Sequence, residues 1–159
     1  IRVAVDNSRS GHSFPTGSPE LRSLWLDVTA EVGGKTVRAS AVDAPNSYGL
    51  AGGNPFDEEA FGKDLVRGAR VYRSVFLDSE GQETLTFFNA AERAFDNRLK
   101  AGEARPESFR LVLPADASGD VTLRARLTYV RYPEAFVKRL GVKPFPPVVV
   151  AEAERKVRL

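Results

Sequence analysis

Apolar and polar positions alternate along much of the chain, and a period of two is the signature of strands with one buried face. Ile1, Val3 and Val5 alternate with Arg2, Ala4 and Asp6, which predicts a short first strand. In residues 21–32, Leu24, Leu26 and Val28 share one face and Trp25 lies on the other. Gly33-Gly34 then turns the chain into residues 35–42, a predicted hairpin. Val71, Arg73, Val75 and Leu77 alternate with Tyr72, Ser74, Phe76 and Asp78. Asp78-Ser79-Glu80-Gly81 reads as the turn into residues 83–88 and predicts a second hairpin. Phe87 and Phe88 cannot both face one side of such a strand, so one is expected at an interface. Phe109, Leu111 and Leu113 mark a strand stopped by Pro114. Val121, Leu123, Ala125, Leu127 and Tyr129 define the clearest strand, and residues 148–159 supply a closing one.

Helix signals are few. Pro133-Glu134 opens a short helix carrying Ala135, Phe136, Val137 and Leu140, ended by Gly141. Residues 57–63 predict a further turn or two. This distribution predicts an all-β fold, an antiparallel immunoglobulin-like β-sandwich with one or two short helices, forming a single domain over residues 1–159. Residues 43–70, rich in Gly, Pro and Asn, form a long irregular stretch, and loops of that length are expected to serve a function or face a partner.

Composition narrows the chemistry more than it narrows the fold. The chain has no Cys, no Met and a single His, His12. Disulfide scaffolds, thiol catalysis, structural zinc fingers and copper sites built from several His and Met ligands are thereby excluded. Covalent haem attachment through CxxCH is excluded too. Apolar residues make up 42% and charged residues 28%, as in an ordinary soluble domain. The longest aliphatic run, residues 148–151, is too short to span a bilayer. The net charge of +2 comes from interspersed basic and acidic residues, without the basic blocks or aromatic-basic motifs of nucleic-acid binders. The start, Ile-Arg-Val, lacks an initiator Met and a signal peptide, and suggests a processed protein or a piece of a longer one.

One loop carries candidate chemistry. Gly11-His12-Ser13-Phe14-Pro15-Thr16-Gly17 follows the first strand. Gly11 is expected to allow close backbone approach or a positive φ beside the histidine. Pro15 fixes φ, Thr16 can bond nearby backbone, and Gly17 can close the turn. Such a loop can hold an imidazole in one orientation, as an axial metal ligand requires. A lone histidine in a turn is ordinarily a local hydrogen-bonding residue, and neither a second His, a Cys nor a paired carboxylate stands near it in sequence.

The G-H-x-x-P-T-G loop after a first strand resembles the start of the cysteine-free, β-rich C-terminal domain of bacterial multihaem c-type cytochromes. Trp25, the 78–81 turn, Tyr129-Val-Arg-Tyr-Pro133 and the Pro-Val-Val-Val-Ala-Glu-Ala tail agree with it. The resemblance implies a non-catalytic module of an electron-transfer assembly that caps or positions haems attached to another segment or chain. It implies haem c as a cofactor held elsewhere, with His12 as candidate axial ligand to the iron and Gly11, Phe14 and Pro15 as loop support. It also implies a multihaem cytochrome segment or subunit as partner, and an extracytoplasmic location in the periplasm or at the cell surface.

Other features read more plainly. Asp57-Glu58-Glu59 lacks calcium-loop spacing and reads as a solvated acidic turn. Glu152, Glu154, Arg155, Lys156 and Arg158 read as a solvated strand face. Tyr129, Arg131 and Tyr132, with Phe136, form an aromatic-basic patch suited to partner contact, although core packing suits Tyr129 and Phe136 better. No membrane span and no nucleic-acid partner are expected. Catalysis lacks candidates, so a non-enzyme is expected. The alternative is an immunoglobulin-like carbohydrate- or protein-binding sandwich without a redox role.

Overall fold

A computed structural model describes residues 1–159. Eleven strands and two short helices follow one another in the chain. The strands are β1 (Arg2–Asp6), β2 (Ser23–Val32), β3 (Lys35–Arg38), β4 (Ser40–Ala41), β5 (Arg70–Tyr72) and β6 (Ser74–Leu77). They continue with β7 (Glu83–Thr84), β8 (Glu92–Asp96), β9 (Ala104–Arg110), β10 (Asp120–Val130) and β11 (Val148–Arg158). The helices are α1 (Pro55–Phe61) and α2 (Glu134–Arg139). The larger sheet has the order β11-β10-β2-β3, with β5 also paired to β2; a second sheet has the order β1-β9-β4. A small third sheet, β7-β6-β8, sits apart, and every pairing is antiparallel. This is the expected all-β sandwich.

The alternation seen along residues 21–32 is the alternation that builds two cores. Leu24, Leu26 and Val28 of β2 join Tyr72 and Leu127, and across the sandwich they meet Val5, Phe109 and Leu99. Burying each such side chain contributes about 1.5–3 kcal/mol. On the opposite face of β2, Trp25 packs with Val71 and Val130 against Ala51, Ala60, Phe61 and Ala69. The Trp25 and Phe61 rings meet edge to face at 5.1 Å. The long irregular stretch 43–70 is therefore largely the cover of a second core, with α1 as its centre. Asn54 caps α1 by accepting from the Asp57 N–H, Pro55 occupies its first turn, and Gly62 ends it.

Asp57 is not part of a solvated acidic turn. Its side chain is 1% exposed, with Oδ1 2.7 Å from Arg73 Nη1, while Oδ2 accepts from the Gly52 N–H at 2.8 Å. Arg73 also donates from Nε to the Tyr48 carbonyl at 3.1 Å. A buried carboxylate must be paired, and only the fold brings its partner from sixteen residues away.

Several predicted elements end early, each for a local reason. The first hairpin breaks at Ala39, where the chain leaves the larger sheet, and β4 pairs with β9 of the second sheet. The single predicted strand around residues 71–77 divides at Arg73, whose side chain turns inward to Asp57. β7 is only two residues long, and Phe87–Asn89 forms a 3-10 turn. Phe87 and Phe88 thus lie in no strand and are 60% and 95% exposed. β9 stops at Arg110, short of Leu111 and Leu113. β8 shows no apolar alternation and is a strand because it pairs with β6.

Candidate functional site

The loop that carries His12 leaves β1 at Asp6 and is anchored at once. Asn7 donates from its backbone to the Glu103 carbonyl at 2.7 Å. Its side-chain amide donates to the His12 carbonyl at 3.1 Å and to the Lys100 carbonyl at 2.8 Å. Ser10 Oγ donates to the same His12 carbonyl at 3.0 Å. Beyond the histidine, Phe14 and Leu99 exchange backbone hydrogen bonds of 2.8 and 2.9 Å. Leu99 is 1% exposed and belongs to the main core, so this bridge fixes the loop to the body of the domain.

Loop support is shared unequally among the expected residues. Phe14 stacks on Tyr129, with ring centroids 6.0 Å apart and planes 19° from parallel. Pro15 is buried and follows a cis peptide bond. Gly17 has φ +80° and closes the turn, and Arg22 donates across it to the Thr16 carbonyl. Gly11 differs from expectation. Its φ is not positive, and a Cβ there would meet nothing within 4 Å, so neither close approach nor left-handed backbone explains a glycine.

His12 itself is exposed, with Nδ1 3.2 Å from the Ser13 carbonyl. A carbonyl only accepts, so Nδ1 is the ring nitrogen that donates. Nε2 has no hydrogen-bond partner in the protein. No three His, Asp or Glu side chains gather where they could hold a metal ion. The loop can therefore present one oriented imidazole whose Nε2 is open to an outside group.

The support behind the loop was hidden from sequence reasoning. Arg105 of β9 donates to the Asn97 carbonyl and side chain at 2.9 and 2.7 Å, and to the Arg98 carbonyl at 3.0 Å. It also holds Glu103 at 2.7 Å, and this hydrogen bond keeps the Glu103 carboxyl below its ordinary range. The turn presenting Leu99 and Lys100 to the loop is tied down by one guanidinium. Asn7 lies 92 residues from Leu99, and no local spacing marks it, Leu99 or Arg105 as loop support.

The patch of Tyr129, Arg131 and Tyr132 separates into two places. Tyr129 is half-buried and belongs to the His12 loop through Phe14. Tyr132 lies among Phe136 at 5.8 Å and Phe145 at 5.5 Å, with the Arg131 guanidinium 5.3 Å over the Phe145 ring.

The fold places the protein among antiparallel all-β sandwiches. In overall structure it is similar to a penta-haem cytochrome c552 from Thermochromatium tepidum, with a TM-score of 0.66 and 21% identity. The likeness covers 98% of this chain and 35% of that one, so the chain spans about a third of that cytochrome's length. At this identity the match speaks for the fold. No family model matches the sequence, and no curated protein matches it.

Proposed function

We propose that this domain is a non-catalytic module of a multihaem cytochrome assembly, in which His12 offers Nε2 as an axial ligand to a haem c attached to another segment or chain. The observation that carries the reading is the His12 hydrogen bond to the Ser13 carbonyl, which engages Nδ1 and leaves Nε2 free of protein partners. Metal-bound histidines ordinarily donate their other ring N–H to such an acceptor. The fit is consistent in a second respect, since the chain has no cysteine to bind haem covalently and needs none to donate an imidazole. The overall likeness to a penta-haem cytochrome supports the same assignment. Haem c is attached outside the cytoplasm, so the reading carries an extracytoplasmic location with it.

When bound, the haem supplies the redox chemistry; the residues of this chain orient the ligand and exclude loop motion. Phe14 and Pro15 hold the turn, Asn7 and Ser10 fix the His12 backbone, and Ser13 fixes the tautomer. The test uses a haem c peptide with one proximal histidine and an open sixth position, titrated with the domain at neutral pH. A low-spin, bis-histidine spectrum is expected with the parent and not with His12→Ala. Because the chain has one histidine, the assignment is unambiguous. The same spectrum from His12→Ala, or no spectral change from the parent, would overturn the ligand role.

A further inference from the structure

β11 has a neighbour on one side only. It pairs with β10 along its length, its other edge is free, and every residue except Val157 is exposed. A free edge of eleven residues is a template for another strand unless its side chains forbid pairing. Here the side chains are arranged in a self-complementary order. Glu152 and Glu154 precede Lys156 and Arg158, and these four share one face.

Two copies of one strand pair antiparallel about a two-fold axis that passes through a residue, so that opposed residues share a face. An axis at Arg155 sets Glu152 opposite Arg158 of the second copy and Glu154 opposite its Lys156. Arg126 and Arg124 of β10 already pair with Glu152 and Glu154 at 2.7 and 2.8 Å, so charge would alternate across the joined sheet. The other face opposes Ala153 to Val157, and Ala151 to Leu159, which is 57% exposed in the single copy. Neighbouring registers are worse: an axis at 153 opposes Glu152 to Glu154, one at 154 opposes Glu154 to itself, and one at 156 opposes Lys156 to itself. The remaining like pair, Arg155 with Arg155, falls on the inner face of β11. There Arg155 borders an open cleft of about 160 Å³ with Ile1, Val3, Leu123 and Ala153, and the long arms can diverge into it.

We propose that the domain associates with a second copy of itself through β11, antiparallel about Arg155, joining the two larger sheets into one. The inference is independent of the haem reading. The absence of cysteine makes the test clean. Opposed residues in an antiparallel pair have Cα atoms about 4.5–5.5 Å apart, within disulfide reach. Arg155→Cys should form a disulfide-linked dimer under mild oxidation, whereas Glu152→Cys or Arg158→Cys alone should not, and those two mixed should crosslink to each other. By sedimentation, Glu154→Lys or Lys156→Glu should weaken the parent dimer about tenfold or more, and the two together should restore it. A parent that stays monomeric at all concentrations, a dimer indifferent to these charges, or equal crosslinking at all three positions overturns the proposal.

Discussion

Asn7 and His12 are held together by the Asn7 side-chain amide, which donates to the His12 carbonyl at 3.1 Å while reaching the Lys100 carbonyl at 2.8 Å. One amide thus spans the candidate ligand and the turn before β9. Removing it takes one donor from each carbonyl, leaving Ser10 Oγ on His12 and the Glu103 N–H on Lys100, and frees the loop entry. Asn7→Ala is expected to cost about 1–2 kcal/mol, or a fall in Tm of about 2–8 °C. It should also weaken capture of a haem c peptide several-fold; thermal melting and spectral titration measure the two effects separately.

The two glycines of the loop are not equivalent. Gly17 has φ +80° and faces the Arg22 guanidinium, while Gly11 looks into open space. Gly17→Ala is expected to lose about 1–2 kcal/mol through left-handed backbone and the displaced arginine. Gly11→Ala should stay within about 0.5 kcal/mol of the parent. Urea unfolding of both variants compares them directly.

The Asp57 and Arg73 pair lies beneath α1, with side chains 1% and 4% exposed. Either Asp57→Ala or Arg73→Ala strands the other charge in the interior and is expected to cost about 3–5 kcal/mol. The double variant should cost less than the sum of the two, because no unpaired charge remains. A double-mutant cycle by denaturant unfolding reports the coupling.

Two glutamates should shape stability against pH with opposite signs. Burial pushes the Glu83 carboxyl above its ordinary range, with Asp57 adding to it. Its contribution is complete below the ordinary carboxylate pKa and fades as pH rises through the raised folded value. Glu83→Gln should therefore be more stable than the parent at neutral pH, by about 0.5 kcal/mol after solvent screening, and equal to it in acid. Glu103 is held low by Arg105, so its contribution is present above the ordinary carboxylate pKa and fades as pH falls through the lowered one. Glu103→Gln should destabilise at neutral pH and lose that effect in acid. Melting temperatures across the acid range follow both.

The sequence makes legible those features that local patterns encode. Leu24, Leu26 and Val28 opposite Trp25 announced a two-faced strand, and β2 is that strand with a core on each face. The Asp-Ser-Glu-Gly signal at 78–81 is a turn in the structure, with Asp78 Oδ1 accepting from the Glu80 and Gln82 N–H groups. Pairing between distant segments left no such mark. β8 has no apolar period, the change of sheets at Ala39 has no turn residue, and Asp57 looks like a surface acid until Arg73 is brought to it. In the loop, His12, Phe14 and Pro15 stand out by residue type, whereas Asn7 and Leu99 act through contacts distant in the chain and Arg105 through the backbone carbonyls of a neighbouring turn.

The reciprocal bond between Phe14 and Leu99 has a mechanical meaning. Through it the imidazole is mounted on the same rigid frame as the main core, and its position follows the tumbling of the whole domain. A redox centre that took such a ligand would gain or lose an electron with little movement of the atom that holds it. Stiffness of the mount, set by two backbone hydrogen bonds, would keep the reorganisation energy of that step small.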